Sequence, residues 1–286
     1  MGEDFLMKIA FVAILGICLF FYGLTHRHAK EPVDVVIPCC QKDAKVLDLC
    51  IEGIRKQGRN IRRVIVVSKT PLTDKAEWFD EKLYPFTIAD LGKEIFPNDP
   101  SKAKWFSSEC SRRGWIYQQL LKLYAPLVIP KISSNVLILD ADVIFLRPVE
   151  FLTESGIGLY GTGTEWHGPY FKHMSRLLPK LRRVFPPHSG VCHHMLFQKR
   201  VIRNLFAKIV AYHKKEPWKA LCACIDPDEI EGSCLSEYEI YFNYLFSNSG
   251  QAKLRPLKWD QTADFSEATL QASLQNGCDY IACHTR

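Results

Sequence analysis

Two aspartates separated by one residue, Asp140 and Asp142, are the side chains in this sequence best placed to do chemistry. They close an apolar run, Leu137-Ile138-Leu139, and are followed by another, Val143-Ile144-Phe145. In extended chain alternate side chains point the same way, so both carboxylates are expected to reach one point. Two hard oxygen donors there suit Mg²⁺ or Mn²⁺, with phosphate oxygens and water completing the shell. Open α/β sheets bind ligands beyond the carboxyl ends of their strands, which is where this pair falls. Asp-x-Asp by itself also describes two solvated aspartates in a turn; the apolar strands around it favour metal and nucleotide.

Histidines and one glutamate follow. His193 and His194 fall in a run expected to be a strand around Gly190 to Phe197, so their rings face opposite sides and at most one enters a site. His193 is the catalytic candidate of the pair, with His188 a third histidine nearby. Ser236 and Glu239 have the spacing of a capping box, which explains Glu239 without chemistry. Tyr238, Tyr241, Phe242 and Leu245 make that helix's core face. Glu237 is left over. It is the candidate general base; the alternative is a solvated acid complementing the helix dipole.

These residues need elements to hold them. Val33 to Pro38 reads as a buried strand, Asp43 to Lys56 as a helix with Val46, Leu49, Cys50 and Ile54 on its apolar face, and Ile61 to Val67 as a second strand. Strand, helix, strand within so short a length is a βαβ unit, so an α/β fold with a mainly parallel sheet is expected. Residues 69–110 read as irregular. A helix from Cys110 to Tyr124 would bury Tyr117, Leu120, Leu121 and Tyr124, leave Arg113, Gln118, Gln119 and Lys122 to other faces, and stop at Pro126. Strands are expected at Asn135 to Leu139, Val143 to Leu146, Gly156 to Gly161, Lys253 to Leu257 and Tyr280 to Cys283. Helices are expected near Lys172 to Arg183, Arg200 to His213 and Ser236 to Phe246.

Composition bounds the rest. The 286 residues carry a net charge of +6, with 47% hydrophobic and 24% charged residues, which excludes a disordered chain. One long apolar run, Phe5 to Leu24, excludes a multi-span protein and predicts a single membrane-spanning helix, long enough to cross a hydrocarbon core. Residues 1–30 are then an anchor and 31–286 the working domain, a single-pass membrane protein. Arg27 and Lys30 beyond the run lean towards a cytoplasmic domain. The eleven cysteines show no disulfide framework, and Cys222-x-Cys224 with Cys234 lacks the second ligand pair of a structural zinc site. Residues 171–220 hold twelve Lys/Arg against one acid, Glu216. They form either solvated helix faces or a surface for an anionic partner, such as a phospholipid leaflet. No nucleic-acid-binding motif accompanies them, so nucleic acid is not expected as a partner.

The stretch LILDADVIFLRP resembles the Asp-x-Asp strand of GT-A nucleotide-sugar glycosyltransferases. GWIYQQLLKLYA (114–125), SGVCHHMLF (189–197) and SEYEIYFNYLF (236–246) together resemble a glycosyltransferase-like family found in bacteria and large viruses. The resemblance runs from about Val33 to His284. It implies a GT-A fold, a Rossmann-like mixed sheet flanked by helices, and a glycosyltransferase using Mn²⁺ or Mg²⁺ and a nucleotide-sugar, with UDP-sugar the donor class. The acceptor, whether glycan, protein or lipid, does not carry over. By the same resemblance Pro38, Cys39 and Asp43 cradle the donor, Arg113 or Gln118 touches its base or phosphate, and Asp140 binds it. Asp43 equally serves as an early helix acid. His284 would join Asp140 and Asp142 as third metal ligand; a histidine near a terminus is otherwise simply exposed. Two other readings stand beside this one. A nucleotidyltransferase on a similar sheet is disfavoured because PCCQKDAK lacks the expected glycine-rich loop. A membrane-tethered, non-catalytic sugar- or nucleotide-binding protein is disfavoured because both aspartates are present.

Overall fold

The computed structural model describes residues 31–248, 250 and 252–283. The expected anchor, residues 5–24, lies outside them, as does His284. Among the described residues no helix is long and apolar enough to cross a membrane. The expectation of a single-pass membrane protein is corrected on that finding, and the cytoplasmic lean falls with it.

The chain opens with the expected unit. Strand β1 (Val33–Pro38) is buried throughout, helix α1 (Ala44–Gln57) follows, and β2 (Ile61–Ser68) pairs parallel with β1. The buried face of α1 is Leu47, Cys50, Ile51 and Ile54, one residue round from the predicted stripe, and Leu49 is exposed. Residues 69–110, expected to be irregular, hold strand β3 (Glu77–Asp80), helix α2 (Ile88–Ile95) and helix α3 (Pro100–Ser108). The polar and proline residues there are helix starts. Thr87 and Asp90 form a reciprocal capping box on α2, and Asp99 caps α3 with Pro100 in its first turn.

Helix α4 (Arg113–Val128) carries the predicted core face but runs through Pro126 to Val128. So near the carboxyl end the lost N–H removes only one of the last hydrogen bonds, and packing holds the final turn. Strand β4 (Asn135–Leu139) pairs parallel with β1, and the short β5 (Val143–Phe145) follows at once. Next come β6 (Gly158–Tyr160), helix α5 (Gly168–Leu177), β7 (His194–Gln198) and helix α6 (Lys199–His213). Helices α7 (Pro217–Ala223) and α8 (Glu237–Asn248) lead to β8 (Ala252–Leu254), β9 (Trp259–Gln261), helix α9 (Glu267–Gln275) and β10 (Tyr280–Ala282). The short elements α7, β9 and α9 were not anticipated, α5 begins four residues earlier than expected, and β7 starts only at His194.

The central sheet has the order β3-β2-β1-β4-β7, parallel except for the antiparallel edge strand β7, with helices packed against it. The result is a mixed α/β architecture with a mainly parallel sheet. Strands β5, β10 and β9 form a second, small sheet. The step from β4 to β5 therefore carries the chain from one sheet to the other, and Asp140-Ala141-Asp142 is that step. One close approach fixes the neighbouring segment. A Cβ on Gly190 would lie 2.7 Å from the Phe242 side chain and 2.9 Å from the Tyr238 carbonyl, so glycine lets residues 189–193 lie directly on α8.

Candidate functional site

Asp140 continues the ladder by one residue, its N–H donating to the His193 carbonyl at 3.0 Å. Ala141 and Asp142 then form a turn, not extended strand. The alternation argument for two carboxylates on one side therefore does not apply here; the turn places them. Its far side is clamped by the Cys283 N–H, which donates to the Asp142 carbonyl at 3.0 Å. Antiparallel pairing of Ala282 with Val143 sets that register. The last described residue of the chain is thus hydrogen-bonded to the second aspartate, and residue 284 is its neighbour in sequence.

Behind the turn sits a buried lysine. Lys122, 3% exposed on α4, places its Nζ 2.5 Å from Asp140 Oδ1 and 2.7 Å from Glu237 Oε1. Nζ also lies 4.6 Å from the centre of the Tyr238 ring, and the Tyr238 hydroxyl donates to the same Asp140 oxygen at 3.3 Å. Burial works against the ammonium, but the two carboxylates outweigh it and hold the lysine above its ordinary value. Burial pushes Glu237 up, against the opposing pull of Lys122. One cation between two carboxylates leaves the cluster one negative charge in excess. Asp140 keeps a side-chain exposure of 21%, and among the described residues its Oδ2 is approached by the His193 Nδ1, at 3.9 Å. The cluster is therefore anionic and open on one side.

Part of the expected donor set, Pro38, Cys39 and Gln118, lies along the same edge. The Gln118 amide donates to the Pro38 carbonyl at 3.2 Å, tying α4 to the carboxyl end of β1. Cys39, 7% exposed, has its thiol pushed up to about 12 by burial, with Asp43, Cys40 and Asp142 adding to the effect. Asp43 stands at the start of α1 without capping it; its carboxylate accepts from the Cys40 thiol at 3.2 Å. Arg113 turns back on its own helix start, donating to the Cys110 carbonyl at 2.7 Å.

The histidine pair separates differently from the strand prediction. His193 precedes β7 in the left-handed region, φ 61°, and packs edge-on to Trp259 at 4.8 Å. His194 lies on the other side, in a cage of Phe145, Phe151 and Tyr280, where burial drives its pKa down to about 3. His188 lies at hydrogen-bonding distance, 3.5 Å, from Thr162.

Around Glu237 two expectations change. Glu237 is 1% exposed, so it is neither a solvated acid nor a free base. Ser236 does accept from the Glu239 N–H at 3.2 Å, but the Glu239 carboxylate turns elsewhere, accepting from Ser189 at 2.6 Å and Asn243 at 2.7 Å. Only half of the capping box forms.

Sequence reasoning missed Lys122, gave Tyr238 only to the core, and passed over Trp259. A signal for Lys122 was present. Helix α4 is apolar on nearly every face, so a lone lysine among Leu120, Leu121, Leu123 and Tyr124 had to be buried, and a buried lysine needs anionic partners. Among the described residues no group of three or more His, Cys, Asp or Glu side chains is arranged to hold a metal ion. The ten cysteines among the described residues are free thiols, and Cys222, Cys224 and Cys234 form no metal site there. The basic stretch is partly compensated by acids from outside it: Arg176 pairs with Asp226 at 2.9 Å and Lys215 with Glu94 at 3.7 Å.

The chain belongs to a family of unknown function, DUF6492, whose model matches residues 30–273. The match takes in α4, the Asp140 turn, β7 and α8, all of the cluster just described. No curated protein matches the chain.

Proposed function

We propose that the chain is a metal-dependent glycosyltransferase of GT-A fold, moving a sugar from a nucleotide-sugar, a UDP-sugar, to an acceptor hydroxyl. One observation carries the reading: an anionic cluster, Asp140 with Lys122 and Glu237, open on one side at the carboxyl end of a central parallel strand. That is where open α/β sheets take nucleotide ligands.

The residues fit a divalent ion. Asp140 has one oxygen engaged and one turned outward, and Asp142 stands two residues on. Magnesium and manganese are commonly held by one or two carboxylates plus substrate phosphates, so a third protein ligand is not required. His284 follows Cys283, the residue bonded to Asp142, and is the further ligand in this reading. When bound, the ion supplies positive charge to a departing diphosphate.

The chain's own residues do the rest. Lys122 fixes the Asp140 carboxylate in place, so no reorganisation is needed when charge develops. Glu237 holds Lys122 from behind; in this reading it is a positioning residue, in place of the base expected of it. His193 presents Nδ1 towards Asp140 on the open side and is the candidate for contact with substrate. Cys39 and the Pro38 carbonyl, with Gln118, border the position for the donor's nucleoside.

The test is thermal unfolding of the full chain against UDP and a panel of nucleotide-sugars, with Mn²⁺, Mg²⁺ or EDTA, alongside release of UDP. A ligand that binds only the folded state adds about 2.7 kcal/mol at a hundred times its dissociation constant. A metal-dependent shift and UDP release with one donor support the reading. A folded chain that responds to no nucleotide-sugar removes it.

A further inference from the structure

Trp166 is 63% exposed, yet it is held still. Its indole stacks on Phe171, centroids 4.5 Å apart and planes 19° from parallel. The Arg183 guanidinium lies 4.7 Å from the indole centre and 5.7 Å from the Phe171 centre. A guanidinium on the opposite face would be separated from Phe171 by nearly the sum of the other two distances. At 5.7 Å it sits beside the stack, on the side of Phe171. One face of the indole is covered and the other is open. Arg183 is fixed in turn, donating to the carbonyls of Pro187 and His188 at 2.5 and 3.0 Å. Exposed tryptophan is uncommon on a solvent surface, and one immobilised with an open face has little further freedom to lose on binding.

The segment that bears it is tied at both ends to stretches of chain that run into the candidate site. At one end Gly163 pairs with Ser189 and lies so close on the Val191 carbonyl that any larger side chain would collide; His193 is two residues beyond Val191. At the other end the His167 ring bonds the Ser233 carbonyl at 2.8 Å, four residues before Glu237. Both anchors are stretches that lead directly to residues touching Asp140 or Lys122.

We propose that the open face of Trp166 is the platform for a sugar ring of the acceptor, so that the acceptor is a glycan. This rests on the glycosyltransferase reading. A pyranose presents a face of C–H groups, made electropositive by the ring oxygens, to the negative face of an indole. Its hydroxyls stay at the rim, where Arg183 and the exposed Thr164 and Glu165 stand. A peptide or lipid chain would favour an enclosed apolar groove; a single flat aromatic plate with polar neighbours suits a sugar.

The experiment is binding of the full chain to an array of immobilised glycans with glucose, galactose, mannose and N-acetylhexosamine termini. Wild type, W166A, W166F and D142N are compared. The expected result is binding of one glycan class by wild type, weakened about tenfold or more in W166A, as for loss of a stacked ring. W166F should recover much of it, and D142N should keep it. A W166A sample that unfolds at the wild-type temperature excludes a folding defect, and W166F serves if W166A does not fold. Binding that ignores position 166, or no glycan bound by folded wild type, overturns the platform. UDP-sugar hydrolysis by wild type reports separately on the underlying reading. Glycan binding lost in W166A with no donor hydrolysed keeps the platform and removes the transferase; hydrolysis with binding indifferent to position 166 does the reverse.

Discussion

Asp34 and Asp140 stand on neighbouring parallel strands at opposite ends of one sheet. Asp34 opens β1 and is fully buried. Arg62 donates to both of its oxygens, at 2.9 and 2.6 Å, and the Ser133 N–H adds a third bond at 2.8 Å. Asp140 follows β4 and is bonded on one oxygen by Lys122 and Tyr238, while the other looks outward. Both are carboxylates paired with a cation, so pairing by itself distinguishes nothing. The difference is saturation. At the amino end every oxygen is used and a closed ion pair locks strands together. At the carboxyl end the pairing stops short, and the Asp140 side chain stays 21% exposed. The cleft of about 550 Å³ lined by Arg62, Trp78, Ile129 and Lys131 lies at the closed end.

The largest effect that sharpens this contrast belongs to Asp142. D142N should lower UDP-sugar turnover by about a thousandfold, the several kcal/mol that metal-borne charge stabilisation contributes. Its thermal midpoint should stay within about 2 °C of wild type, roughly 1 kcal/mol for a chain of this size. Turnover that survives the change, or a fold that does not, would put Asp142 on the structural side.

Lys122 comes next. K122M strands the buried Glu237 carboxylate and takes from Asp140 its nearest cation, and removing one partner of a buried pair costs about 3–5 kcal/mol. The sign with pH follows from Glu237. Burial already raises its folded-state pKa, and without Lys122 the main opposing pull is gone. The folded state then binds more protons than the unfolded state, so stability rises as pH falls. Urea denaturation at pH 7.5 and pH 5 should show K122M recovering part of its deficit in acid, relative to wild type. A deficit independent of pH would mean the lysine matters only as packing.

At the closed end, D34A should cost about 3 kcal/mol by leaving the Ser133 N–H and Arg62 without their acceptor, and should leave UDP-sugar turnover as it is. Loss of turnover in a folded D34A protein would break the division between the two ends.

Much of this was legible before any coordinates. The first βαβ unit came from β-branched runs and a helical stripe, and β4 from NVLIL, because buried parallel strands write themselves as unbroken apolar runs. Asp140 announced itself by ending one of them. What stayed hidden depends on which residues meet across long separations. Lys122 is 18 residues from Asp140 and 115 from Glu237, and helical periodicity on a helix buried all round gives no face to assign. Residues 69–110 misled because Thr87, Asp99 and Pro100 serve loops and helix starts alike. Glu239 looked committed to its own helix end, and only the approach of Ser189 over Gly190 shows the carboxylate turned outward to another segment.

The adjacent histidines give the smallest and most discriminating test. Among the described residues neither ring nitrogen of His194 has a hydrogen-bond partner, so by saturation alone it would count as an open group. It is sealed inside aromatic rings instead, and inaccessible incompleteness should be a stability liability with no role in turnover. Burial lowers its pKa from an ordinary 6.5 to about 3, so between those values the unfolded chain takes up a proton that the folded chain refuses. Stability therefore falls as pH drops below 6.5, by about 2 kcal/mol at pH 5 from this group. His173, lowered to about 4, adds a loss of the same sign. H194F fits the cage chemically and cannot titrate. Whatever its stability at pH 7.5, its further loss on moving to pH 5 should be smaller than wild type's by about that amount. An acid sensitivity unchanged in H194F would show that His194 is hydrated or bonded in solution, and that the cage is not the dry compartment its rings describe.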